Sequence, residues 1–123
     1  MYTFRELQKA AKKKVDGKEV RIAVLGNCAT QFFSNAVQGY SKKVGMNVNL
    51  YDADYNQIDA QLLDRNSEVL KFEPDNIILW LGTEKIYEEF LDINLEERNG
   101  FADMYIQKIL HYWELIEKNS HAR

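Results

Sequence analysis

The chain has 123 residues, 46% of them hydrophobic, 12% aromatic and 28% charged, a length that sustains one domain and an aromatic content that argues against disorder. The net charge of −3 and pI near 5.4 give no field to draw nucleic acid or an anionic membrane. A lone cysteine cannot build a disulfide framework, the amino terminus lacks the apolar stretch of a signal peptide, and no window approaches the ~18 apolar residues of a membrane span, so a cytoplasmic protein is expected.

Thr3 and Glu6 have capping-box spacing and open a first helix, with Phe4, Leu7, Ala10 and Ala11 as its apolar stripe and Asp16-Gly17 as its stop. The basic cluster Lys9, Lys12, Lys13 and Lys14 reads as the solvated face of this segment, not as a phosphate-binding arm. Val20–Leu25 is a short β-branched run closed by Gly26, the pattern of a buried strand. A second helix is expected from Ala29 to about Lys43, where Phe32, Phe33, Ala36, Val37 and Tyr40 recur at helical spacing before Gly45. Val48–Tyr51 is the second strand, followed by Asp52-Ala53-Asp54.

One helix is then expected from Gln57 to Phe72, with Ile58, Leu62, Leu63, Val69 and Leu70 inward, broken by Pro74-Asp75. Asn76–Leu81 is a near-continuous apolar run of the kind buried on both faces. It ends in Gly82, and Thr83 is placed to cap a helix containing Ile86, Tyr87, Phe90 and Leu91. A final helix spans Gly100 to Lys118 with Ala102, Ile106, Ile109, Trp113 and Ile116 on one face.

Strands alternating with helices predict right-handed crossovers and a parallel sheet. The expectation is a three-layer α/β, flavodoxin-like domain over residues 1–123, with a short parallel sheet in the order 2-1-3. The long last helix would normally return into a fourth strand, so the chain reads as the front part of a longer multidomain protein.

In such sheets ligands bind beyond the carboxyl ends of the strands. Three loops fall there: Gly26-Asn27-Cys28, Asp52-Ala53-Asp54 and Gly82-Thr83-Glu84-Lys85. Cys28, read at the start of a helix, would lie on the positive end of the helix dipole, which favours the nucleophilic thiolate. The backbone N–H groups of Cys28 and Ala29, with the Asn27 amide, are candidate donors to a developing oxyanion. Asn27 reads equally as a helix cap, and Cys28 as a small packing residue. The late histidines, His111 and His121, give no cysteine–histidine dyad. Asp52, Asp54 and Glu84 read as solvated or capping groups before a divalent-cation site, and phosphate-cradling and zinc motifs are absent.

Ile22-Ala-Val-Leu-Gly-Asn-Cys28 resembles the first block of SGNH hydrolases, in which a strand ends in Gly-Asp-Ser and the serine is the nucleophile. Asn27 and Cys28 stand in place of that Asp and Ser. Ile77–Lys85 resembles the third block, with Glu84 at the position of the oxyanion-donating asparagine. The glycine of the second block and the Asp-x-x-His block that supplies the base are missing, so an independent hydrolase is not expected.

A closer resemblance, over about residues 19–118, is to the amino-terminal, SGNH-like domain of FkbH-like proteins, carried by Leu25-Gly-Asn-Cys-Ala-Thr-Gln31 and Trp80-Leu-Gly-Thr-Glu84. In that family the domain precedes a phosphatase-like domain of the haloacid dehalogenase type, and a glyceryl group from a bisphosphoglycerate is loaded onto an acyl carrier protein. The resemblance implies that Cys28 holds the acyl group as a thioester, with Asn27, Ala29, Gly82, Thr83 and Glu84 about the oxyanion and substrate. It implies no cofactor or metal in this chain, with Mg expected only in the phosphatase-like domain, and the acyl carrier protein and that domain as partners. A site without a water-activating histidine would protect such a thioester. The alternative is a non-catalytic α/β docking domain in which Cys28 is structural packing.

Overall fold

The computed structural model describes residues 1–123. Its elements are α1 (Phe4–Ala11), β1 (Val20–Gly26), α2 (Gln31–Lys43), β2 (Val48–Asp52), α3 (Ile58–Leu63), α4 (Glu68–Lys71), β3 (Asn76–Trp80), α5 (Thr83–Asp92) and α6 (Phe101–Asn119), with a 3₁₀ turn at Leu95–Gly100. The three strands form one parallel sheet in the order β2-β1-β3, as the alternation of strands and helices predicts. Val24 pairs with Asp52 and Gly26 with Trp80, so all three strands end at the same edge of the sheet.

Burial follows from that order. In central β1, Ala23, Val24 and Leu25 are fully buried. Ala23 and Leu25 point to the face that packs on α3, α4 and α6, in a cluster with Ile58, Leu62, Val69, Tyr112 and Ile116. Val24 alternates to the opposite face, the side of α2 and α1. There the two helices approach so closely that a Cβ on Gly39 would lie 2.0 Å from the Leu7 carbonyl oxygen, so only glycine fits. The capping box of α1 is formed: Glu6 N–H donates to the Thr3 hydroxyl and Thr3 N–H to the Glu6 carboxylate. The four clustered lysines are exposed. No helix is long and apolar enough to cross a membrane.

Several expectations are corrected. Helix α1 stops at Ala11, ahead of Asp16-Gly17. Helix α2 starts at Gln31, not Ala29, with Thr30 as N-cap, because the Asn27 and Thr30 side chains are spent on the β3 and β2 loops. The expected helix over 57–72 is two helices. Asp64 accepts from the Asn66 N–H, and the Ser67 hydroxyl donates to the Gln61 carbonyl while accepting from the Leu70 N–H. These side-chain bonds turn the chain and cap α4. Strand β3 is not buried on both faces: it is an edge strand, its central residues half-buried and Trp80 41% exposed. Thr83 is the first residue of α5 and makes no cap, Gly82 holding the N-cap position. The last helix buries Phe101, Tyr105, Tyr112 and Ile116, leaving Ala102, Ile106 and Trp113 exposed.

Candidate functional site

The carboxyl ends of the strands are tied together by the loop that follows β1. Asn27 N–H donates to the Trp80 carbonyl at 3.2 Å, continuing the β1–β3 ladder by one bond. The Asn27 side chain then reaches forward: its Oδ1 accepts from the Gly82 N–H at 2.8 Å. On the other side Thr30 Oγ1 donates to Asp52 Oδ1 at 2.5 Å, while Ala53 N–H donates to the Val24 carbonyl and Asn56 N–H to the Gly26 carbonyl. Asn56 adopts a left-handed φ of 61°, which asparagine tolerates better than most residues. Asp52 is thus held by a hydroxyl, and Asp54 is exposed. No group of His, Cys, Asp and Glu side chains is arranged to hold a metal ion.

Cys28 stands between these ties and is half-buried. A Cβ built on Gly82 would sit 3.3 Å from its sulfur and 3.5 Å from Asn27 Oδ1, so the glycine leaves the room in which thiol and amide lie against the β3 loop. Asn27, Cys28 and Gly82 are therefore brought together, whereas Ala29, Thr83 and Glu84 are exposed. With α2 starting at Gln31, its free N–H groups begin beyond Thr30, and Cys28 is two residues ahead of the cap. The helix-dipole argument for this thiol is accordingly weakened, and Asn27 does not cap α2.

Behind Asn27 the chain supplies a tyrosine. Asn27 is 92% buried by the measure of its 8% exposure, and its Nδ2 has no hydrogen-bond acceptor within bonding distance. The Tyr105 hydroxyl lies close to this amide without a hydrogen bond to it, and its pKa is raised by burial first and then by Glu89. Beside it opens a polar cleft of about 300 Å³ lined by Asn27, Tyr55, Asn56, Lys85, Glu88, Glu89 and Asp92. Lys85 Nζ lies 2.9 Å from Glu88 Oε2, a bond that raises the lysine pKa. Cys28 is not among the lining residues. The α5 contribution was legible as a pattern: Lys85, Glu88, Glu89 and Asp92 repeat at helical spacing and share one face. Tyr105 carried no such signal, because its place opposite Asn27 depends on how α6 docks.

Neither histidine joins the site. His111 is exposed on α6, and His121 lies 3.8 Å from Asp75, at the opposite end of β3.

The family model described as FkbH, N-terminal domain, matches residues 21–122. No curated protein matches. Among solved structures the chain is similar to the crystal structure of the N-terminal part of the protein BF1531 from Bacteroides fragilis, which contains a phosphatase domain complexed with Mg. The TM-score is 0.83 and the identity 31%, over 100% of this chain and 32% of that one. The chain thus spans about a third of the length of the structure it matches.

Proposed function

Because the chain belongs to the FkbH N-terminal domain family, we propose that it is the acyl-accepting domain of an FkbH-like acyltransferase, with Cys28 as the carrier of the acyl group. The observation that carries this reading is the family match over residues 21–122 together with a half-buried thiol at the end of the central strand. The Cys28 sulfur, its proton released to solvent, attacks the carbonyl carbon of an activated glyceryl-type donor. A C–S bond forms, the bond to the leaving group breaks, and the leaving group departs with the electron pair. In the second half the thiol of an acyl carrier protein attacks the thioester carbon, and Cys28 leaves as thiolate. No electron is gained or lost overall.

The backbone amides of Cys28 and Ala29 and the loop of Gly82, Thr83 and Glu84 are assigned to the oxyanion and substrate, with Asn27 setting the spacing of the two loops. No histidine lies beside Cys28 to activate water, which favours transfer over hydrolysis. By the same reading the phosphatase-like chemistry, and any Mg, belong to a second domain of the longer protein. The SGNH-like ancestry of the nucleophile loop and a reducing, cytoplasmic setting complete the proposal.

The test is to incubate the longer protein with its acyl donor and map the label by mass spectrometry. A hydroxylamine-labile adduct on Cys28, with transfer lowered at least ~100-fold in Cys28→Ala, is the expected result. The position of Cys28 outside the polar cleft favours a second reading, a docking domain in which the thiol is packing. That reading prevails if Cys28→Ala transfers acyl groups at the parent rate.

A further inference from the structure

A second hollow lies away from the strand ends. A groove of about 740 Å³ runs between the free edge of β3 and α6, lined chiefly by Ile77, Leu79, Leu81, Ile109, Trp113 and Ile116. Trp113 is 55% exposed there, and β3 has β1 as its sole neighbour in the sheet. An apolar trough beside an unpaired strand edge suits another strand, which pairs the free N–H and C=O groups while covering the side chains.

The residues beyond α6 say which strand and in which direction. Arg123 N–H donates to the Asp75 carbonyl at 3.1 Å, and the Ile77 N–H donates to the Arg123 carbonyl at 2.9 Å. One residue bonding to both neighbours of Asn76 is the hydrogen-bond pattern of a parallel ladder. Ala122, just before it, is buried in the main core cluster. The polypeptide has therefore left α6, turned at Ser120 and entered the sheet beside the first residue of β3, pointing along it. By strand alternation the N–H groups of Leu79 and Leu81 face the same edge as that of Ile77.

We propose that the β3 edge and the groove beneath it seat a fourth parallel strand, formed by the residues that follow Arg123 in the longer protein, giving the order β2-β1-β3-β4. Its length matches the 5 residues of β3, with apolar side chains at alternate positions directed at Leu79, Ile109 and Trp113. The inference rests on the longer-protein part of the function proposed above and is independent of Cys28, so either can fail alone.

Amide exchange read by mass spectrometry on peptides covering 76–82 tests it, comparing the 123-residue chain with the longer protein. Leu79 and Leu81 are expected to exchange about tenfold or more slowly in the longer protein, with the 123-residue chain monomeric by sedimentation. Equal exchange in the two proteins overturns the proposal. So does protection of the 123-residue chain that rises with its concentration and a dimer, which would make a second copy the occupant. A reading frame that stops at Arg123 overturns it as well.

Discussion

Replacing Asn27 by alanine isolates the tie that spaces the β1 and β3 loops. The substitution removes the acceptor of the Gly82 N–H, a bond of 2.8 Å across 55 residues of sequence. A buried donor left without a partner costs ~1–3 kcal/mol. The Asn27 Nδ2, itself without an acceptor, disappears in the same variant and returns part of that loss, leaving about 1–2 kcal/mol. For 123 residues an unfolding entropy of ~2.1 cal/mol/K per residue gives ~0.26 kcal/mol per degree. Asn27→Ala should therefore lower Tm by about 4–8 °C, read by circular dichroism at pH 7. The same variant should make the Cys28 thiol react faster with iodoacetamide below Tm, since the loop beside Gly82 is no longer held. A Tm within about 1 °C of the parent, with unchanged alkylation, would refute the view that Asn27 clamps the site.

Two further outcomes rest on single close contacts. Gly39→Ala drives a methyl to 2.0 Å from the Leu7 carbonyl, so α1 must lift from α2 at a cost of about 3 kcal/mol, visible in the urea midpoint; a loss below about 1 kcal/mol contradicts the packing described. Tyr51 donates its hydroxyl to the Glu68 carboxylate, which raises its pKa from 10.0 to about 12. Its folded pKa lies above the unfolded one, so this contribution is complete below about pH 10 and is lost as pH rises toward 12. Parent and Tyr51→Phe stabilities should converge over that window, and parallel curves would count against the bond.

The sheet was readable because β1 and β3 are largely apolar runs that stop at or close to glycine, and because strands alternate with helices along the chain. The placement of three loops on one edge followed from that alone. What local pattern could not supply were bonds between residues far apart. Asn27 and Thr30 have the chemistry of helix caps, and nearby sequence offers α2 as their use; the fold offers Gly82 and Asp52 instead. The run Asp64-Arg65-Asn66-Ser67 did carry turn and cap chemistry, outvoted by the apolar spacing of Ile58, Leu62 and Val69 on either side. In α6 two apolar stripes compete. Ile109, Trp113 and Ile116 face the groove at β3, while Tyr105 and Tyr112 enter the core by giving their hydroxyls polar surroundings, Tyr112 donating to Asp59 at 3.3 Å. Hydrophobicity alone places the exposed Ile106 and Trp113 beside the buried Ile116 and passes over the two tyrosines.

The crosslinks from Asn27 to Gly82 and from Thr30 to Asp52 leave the mouth of this domain little freedom to rearrange. A molecule arriving there meets a shape fixed in advance, so little of its affinity is consumed in ordering loops. Discrimination among guests then falls on outline and charge, and enlarging the repertoire of guests would require cutting a crosslink before reshaping any wall.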